Sequence, residues 1–187
     1  LILRPRFALG DVALVTSYAA CCLAATIDEC TDRHAQIKWV NDVFVDGRKV
    51  SGILSEASFD AETQSVAYVV VGIGVNVIGF DDETNVAGAL VDDSDDANTL
   101  RCHIVADTVN RFMRDYERIP SMPHLADYRA RSLLDGRHVE VHAGTETFEA
   151  QVIGIDDDFT LRVRLDSGEE RNLASGEVHI PSTQLAE

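Results

Sequence analysis

The stretch from Val66 to Val77, VAYVVVGIGVNV, limits the folds open to this chain more than any other. It is almost wholly apolar, rich in β-branched residues, and carries glycines that would each cost a helix about 1 kcal/mol relative to alanine. Such a run is expected to be a central strand covered on both faces. Just upstream, Val43-Phe44-Val45 and the segment from Arg48 to about Ser58 flank Asp46-Gly47, a dipeptide suited to the two positive-φ positions of a type I′ hairpin. Gln36 to Trp39 reads as a further short strand, with Ile37 and Trp39 on one face and Lys38 on the other. Asp60 to Gln64 is polar and turn-like, and residues 1–4 resemble the end of a buried strand.

Helical spacing brackets this β region. Asp11 is expected to cap a helix running to Asp28 or Glu29, with Val12, Val15, Ala19, Cys22, Leu23 and Ile27 along the face that packs on the sheet. Thr99 is expected to cap a second helix, whose Leu100, Ile104, Val105, Thr108, Phe112 and Tyr116 share a face. Pro120 and Pro123 end it, and a shorter helical piece spans His124 to Leu134. The segment from Ile78, beginning Ile78-Gly79-Phe80-Asp81-Asp82, to about Asn98 reads as a loop with an apolar patch at Ala87–Leu90. Its Asp92, Asp93, Asp95 and Asp96 are solvated charge, because the spacing and glycine of a calcium loop are missing.

From Gly136 the period switches to two. Val139-x-Val141, Phe148 to Ile155 and Phe159-x-Leu161-x-Val163-x-Leu165 alternate, with turns at 143–145, 156–158 and 166–168. The chain is therefore expected to be α+β: a mixed sheet flanked by helices over residues 1–134, then a small SH3-like β-barrel over 135–187. A barrel of that size is weakly stable alone and is expected to lean on the first domain.

Charge narrows the function. The net charge is −16, and of 16 basic residues 14 are Arg; Lys38 and Lys49 are the only lysines. Excess Asp with scarce Lys suggests adaptation to high salt, where the Debye length shrinks to about 3 Å at 1 M. The same balance argues against nucleic-acid binding, which needs clustered cations. No apolar run approaches the roughly 20 residues of a membrane span, and the opening LILRP is neither a signal nor a transit sequence. Cys21, Cys22, Cys30 and Cys102 have neither disulfide-framework nor zinc spacing; three fall in helical apolar patterns as small buried hydrophobes, which suits a reducing cytoplasm. A first residue that is Leu and not Met suggests a piece of a longer polypeptide.

The chemistry is carried by few residues. Gly72-x-Gly74 fails the dinucleotide fingerprint, since its third glycine position is Val77 and no helix begins there; strand glycines mark close approach of a backbone or a ligand. Asn76, at the strand end, could bond a purine edge or cap a loop. Lys38 stands out because the chain uses Arg wherever any cation suffices, and a flexible ammonium can follow a carboxylate as it becomes an acyl phosphate. Lys49, just after the hairpin turn, is expected to be an exposed structural charge. No G-x-S-x-G, H-E-x-x-H or P-loop is present.

Taken together, Lys38-Trp39-Val40-Asn41-Asp42, the hairpin Asp46-Gly47-Arg48-Lys49, Gly52-Ile53-Leu54 with Glu56, and Gly72-Ile73-Gly74-Val75-Asn76 closely resemble biotin protein ligase, whose K-W-P-N-D, G-I-L and G-I-G-I-N segments follow in this order. Ser175-Gly176-Glu177-Val178 resembles the end of that family's C-terminal domain. The resemblance implies a catalytic domain like that of class II aminoacyl-tRNA synthetases. It also implies ATP-dependent activation of biotin to biotinoyl-AMP and transfer to a lysine of the biotin carboxyl carrier domain of acetyl-CoA or acyl-CoA carboxylase. On that basis Lys38 is the catalytic residue, Lys38, Val43 and Gly72 contact biotin, and Asn41 and Asn76 contact the nucleotide. Ala87–Leu90 resembles the family's adenylate-binding region. Magnesium would accompany ATP with no metal ligands from this chain, and a second copy, in a homodimer, is a further candidate partner. Val40 replaces the usual Pro, and the Gly/Arg-rich biotin loop would precede Leu1, so an incomplete enzyme is expected. Two other roles fit the same residues: a biotinoyl-AMP-sensing repressor module and a non-catalytic scaffold.

Overall fold

A computed structural model describes residues 1–79, 86–92 and 97–181. Phe80-Asp81-Asp82 and Asp93, Asp95 and Asp96 of the expected acidic loop lie outside the described residues. A first sheet is built from β1 (Ile2–Leu3), β2 (Ala35–Lys38), β3 (Asp42–Val45), β4 (Arg48–Asp60) and β5 (Ser65–Val75), in the order β1-β5-β4-β3-β2. The expected mixed sheet is not found: every strand pair is antiparallel, because tight turns link β2 through β5 in succession. Parallel contacts occur as isolated bridges, Ile37 to Ser132, Lys49 to Ala87 and Ile78 to Val91. The hairpin turn is as read, with φ of 50° at Asp46 and 72° at Gly47.

Packing covers one face of this sheet and leaves the other open. Val69 and Val71 are buried against the helices, whereas Tyr68, Val70 and, on the neighbouring strand, Leu54 are exposed. The expectation that Val66–Val77 is covered on both faces therefore holds for one face only. The helix α1 (Ala13–Thr31) packs on the covered face, preceded by a 3-10 turn at Leu9–Val12. Asp11 lies inside that turn and does not cap the helix; the N-cap is Val12, without a side-chain bond. Burial runs almost all round α1, from Val15 and Tyr18 to Cys21, Cys22, Leu23 and Ile27, because the sheet holds one side and the later helices hold the others. Including the turn, the helix is long and apolar enough to cross a membrane, contrary to the sequence reading, and 67% of that window is buried within the fold. Its apolar surface is the core of this domain.

Further along, α2 (Ala97–Asp115) buries Ala97, Ile104, Thr108 and Phe112, but Val105 is 64% exposed and lies off that face. Thr99 is the third residue of α2 and so is not its cap. A 3-10 turn, Tyr116–Ser121, takes up Pro120, and α3 (Leu125–Ala130) follows. Beyond α3 the chain closes the outer edge of β2: Ile37 N donates to Arg131 O and Leu133 N to Ile37 O. Of the cysteines, Cys21 and Cys22 are buried as expected, Cys30 is half-buried and Cys102 is exposed.

The second sheet is antiparallel and five-stranded: β6 (His138–Ala143), β7 (Glu146–Ile155), β8 (Leu161–Arg164), β9 (Glu170–Leu173) and β10 (Glu177–His179), in the order β10-β6-β7-β8-β9. Its alternating Val139, Val141, Val152, Leu161 and Val163 belong to the same continuous apolar core as the first sheet. Phe159, at φ 63°, leaves the turn before β8 and stacks on His124 with ring centroids 4.7 Å apart. Trp39 Nε1 donates to Phe159 O at 3.0 Å, and Arg129 Nε donates to Ile155 O at 2.8 Å.

Candidate active site

Three glycines set the floor of the site. Gly52 pairs with Gly74 and Leu54 with Gly72 across β4 and β5, on the open face of the sheet. A Cβ on Gly72 or Gly74 would have only a carbonyl oxygen nearby, at 3.8 Å, so the missing side chains leave open space above the sheet and not a packing contact. The result is a depression of about 530 Å³ lined by Asn41, Asp42, Lys49, Gly52, Ile53, Leu54, Gly72, Ile73 and Gly74.

Lys49 lines this depression, and Lys38 stands one strand beyond it, next to the same carboxylate, Asp42. Lys38 is the register partner of Asp42 across β2 and β3. Lys49 Nζ lies 2.7 Å from Asp42 Oδ1, and Asp42 is the more buried of the two. The Lys38 pKa is lowered by partial burial and, less strongly, by Lys49, while Asp42 and, least of all, Glu177 pull it back. Lys38 itself makes no ion pair within 4 Å among the described residues. The site thus sets two ammonium groups against one close carboxylate, in a chain of strongly negative charge.

Two local devices produce this arrangement. The β3–β4 register shifts between Val43 and Phe44, so that Ser51 faces Val43 but Lys49 faces Phe44. The extra residue, Val50, is fully buried, and the bulge re-aims Lys49 toward Asp42. Gly52 supplies the room: a Cβ there would lie 3.4 Å from Asp42 Oδ1 and 3.5 Å from Lys49 Cε. Lys49, expected from the sequence to be an exposed structural charge, lines the depression and pairs with Asp42. The D of K-W-x-N-D is the available signal for Asp42, but no pattern in the sequence announces the bulge.

The other expected residues divide. Asn41 lines the depression but commits its side-chain amide to Ile53 O at 2.7 Å, holding the β2–β3 connection against β4. Val43 is fully buried in the core, on the opposite face of the sheet from Lys38, and does not reach the depression. Asn76 anchors the 86–92 segment: its N donates to Val50 O, and its carbonyl accepts from Leu90 N at 3.1 Å. The same segment is held by Lys49 N to Val86 O, Gly88 N to Lys49 O, and Arg33 Nη1 to the carbonyls of Ala89 and Leu90. Lys38, Gly72 and Asn41 thus converge with Asp42 and Lys49, Asn76 stands at the end of the same strand, and Val43 stays apart.

Beside the site, the peptide between Trp39 and Val40 is cis, and Tyr128 Oη donates to Val40 O at 2.9 Å. No group of three His, Cys, Asp or Glu side chains placed to hold a metal occurs among the described residues.

This architecture is that of solved biotin protein ligases. The apo enzyme from Aquifex aeolicus superposes with a TM-score of 0.75 at 17% identity, covering 97% of this chain and 80% of that one. Its complex with biotin and ATP gives 0.71 at 19% identity, over 97% and 76%. In sequence, residues 6–76 match the Biotin/lipoate A/B protein ligase family and residues 136–180 the Biotin protein ligase C terminal domain. The bifunctional ligase/repressor BirA of Bacillus subtilis is 31% identical over 90% of this chain and 53% of its own length. The biotin–[acetyl-CoA-carboxylase] ligase of Mycobacterium tuberculosis is 30% identical over 73% of this chain and 50% of its own. The chain belongs to the biotin protein ligase family. It spans about half the length of these curated relatives.

Proposed function

We propose that this chain carries the adenylate half of a biotin protein ligase site, which activates biotin with ATP and passes the biotinoyl group to a lysine of a biotin carboxyl carrier domain. The observation that carries the reading is a bare Gly52-Gly72-Gly74 floor with Lys38 one strand away on the same face, opposite the lining residue Asp42. An extended, largely apolar acid lies over the glycines with its carboxylate directed to Lys38. One carboxylate oxygen attacks the α-phosphorus of ATP, the bond to the bridging oxygen breaks, and pyrophosphate leaves. Lys38 stabilises the charge on the carboxylate and on the phosphoryl oxygens as the mixed anhydride forms. The carrier amine then attacks the acyl carbon and AMP departs with the bonding electrons. Asn76 and the 86–92 segment it anchors face the nucleotide, and Asn41 acts by holding the rim. Magnesium would accompany ATP and offset phosphate charge, and no cluster of carboxylate, His or Cys side chains among the described residues would hold it.

On this reading residues 1–134 form the catalytic unit and 135–187 an SH3-like barrel that buttresses it, working in a salt-rich cytoplasm. The test is biotin-dependent ATP–pyrophosphate exchange, with lipoate as control acid, in a polypeptide that carries this chain. Exchange with lipoate and not biotin would overturn the substrate, and absence of exchange with both would overturn the activity. The ligase/repressor names of the Bacillus relatives favour a second role, adenylate-sensing repression, which requires DNA retention that rises when biotinoyl-AMP is added.

A further inference from the structure

We infer that Arg33 is a positioning residue for the nucleotide side of the site: it holds the 86–92 segment closed on the β3–β4 hairpin before a nucleotide arrives. The inference rests on the adenylate-site reading and adds to it a residue that touches neither substrate. Arg33 lies in the link 32–34 between α1 and β2, where Asp32, at φ 52°, turns the chain out of the helix. Its guanidinium spans two elements. Nη1 donates to the carbonyls of Ala89 at 3.2 Å and Leu90 at 2.9 Å, while Nε and Nη2 donate to Asp46 Oδ2 at 3.1 and 2.6 Å. Asp46 belongs to the hairpin turn, so one planar fork ties the segment to that turn.

The two sides of the fork do different things. The Asp46 side chain is 71% exposed, so its ion pair orients the guanidinium and contributes little else. Leu90 is buried, and the charge-assisted bonds to its carbonyl and to that of Ala89 are what resist opening. An ammonium is a point donor without this planar geometry, so lysine cannot replace the fork. The cavity of about 290 Å³ beside Arg33 shares no lining residue with the glycine-floored depression, so Arg33 acts on a nucleotide there through the segment. A segment closed in advance leaves less chain to order on binding, and apparent affinity scales with the fraction already closed.

Two readouts test this in a polypeptide that carries the chain. The first is amide hydrogen exchange without ligand. Leu90 N and Val91 N donate to Asn76 O and Val77 O, so their protection reports closure. Arg33→Gln should speed their exchange about tenfold and leave Val152, in the second sheet, unchanged. The second is binding of α,β-methylene-ATP with magnesium, an analogue that cannot release pyrophosphate. Arg33→Gln should weaken it about fivefold, Arg33→Lys by an intermediate factor, and Asp46→Asn, which tolerates the positive φ, by less than about twofold. Unchanged exchange at Leu90 and Val91 overturns the inference, as does faster exchange at Val152 too, the mark of general loosening. Equal losses in Asp46→Asn and Arg33→Gln also overturn it, since the arginine would then be a hairpin strut. No analogue binding by wild type, or equal binding by Arg33→Gln, overturns it while biotin-dependent pyrophosphate exchange can still stand. If analogue binding falls as expected but no pyrophosphate exchange occurs with biotin, the function reading fails and the role of Arg33 remains.

Discussion

The indole nitrogen of Trp39 donates to the carbonyl of Phe159 across 120 residues of sequence, one residue from Lys38. This bond joins the strand that carries Lys38 to the turn entering β8. Trp39→Phe should leave the Phe159 carbonyl unsatisfied in a buried setting and cost about 1–3 kcal/mol, beyond any packing loss. Urea unfolding is the check: a shift below about 0.5 kcal/mol would mean that water replaces the indole without penalty.

Removing the Lys38 cation tests the adenylate step. Lys38→Ala should lose about 1.5–3 kcal/mol of charge-assisted binding to the activated intermediate, seen as slower biotin-dependent ATP–pyrophosphate exchange. An exchange rate equal to wild type removes Lys38 from the chemistry.

The glycine floor separates stability from binding. Gly72 has no positive φ, and an added methyl would meet nothing closer than the Leu54 carbonyl oxygen at 3.8 Å. Gly72→Ala should therefore stabilise the fold by about 0.4–1 kcal/mol through the unfolded chain. The same methyl rises into the depression and should weaken biotin binding by about tenfold or more, read by calorimetry. Unchanged affinity would move the acid elsewhere.

His124 sets an acid limit. It is buried between Phe159 and Tyr18, its Nε2 bonds Ser17 Oγ at 2.9 Å, and its Nδ1 has no partner. Burial lowers its pKa to about 4, below the ordinary value of 6.5. The unfolded chain therefore binds the proton first as pH falls, so the stability associated with neutral His124 is complete above pH 6.5 and is lost progressively toward pH 4. The loss is on the order of 3 kcal/mol. Denaturation midpoints at about pH 7 and about pH 4.5 should diverge for wild type and much less for His124→Phe.

Gly88 locks the 86–92 segment. A Cβ there would lie 2.6 Å from Arg48 Cβ, near the backbone where nothing can swing aside. Gly88→Ala should push the segment off β4 at a cost of about 1–3 kcal/mol, with faster hydrogen exchange at the Lys49, Gly88 and Leu90 amides. Protection equal to wild type would show that Arg48 gives way instead.

Much of this layout is legible in the sequence because strong local signals agree with the tertiary result. Asp46-Gly47 sits in its turn, the alternating strands after Gly136 form the second sheet, and K-W-x-N-D with G-I-G-x-N points to Lys38 and Gly72 on one surface. What escapes depends on partners distant in sequence. Hydrophobicity cannot tell a strand covered on both faces from one whose open face receives a ligand, so it gives no warning that Tyr68, Val70 and Leu54 are exposed. α1 shows no one-sided stripe because three sides of it are packed. Motif position alone puts Val43 beside biotin, but strand parity turns it into the core, and the bulge at Val50 that aims Lys49 leaves no mark in composition.

Trp39 is the single tryptophan of the chain, buried, hydrogen-bonded and adjacent to Lys38. Its fluorescence is therefore an intrinsic optical probe that needs no label. Emission from this one indole reports loosening of the Phe159 contact as a shift to longer wavelength, and charge arriving at Lys38 as a change in intensity. A single stopped-flow trace can thus separate ligand capture from parting of the two sheets.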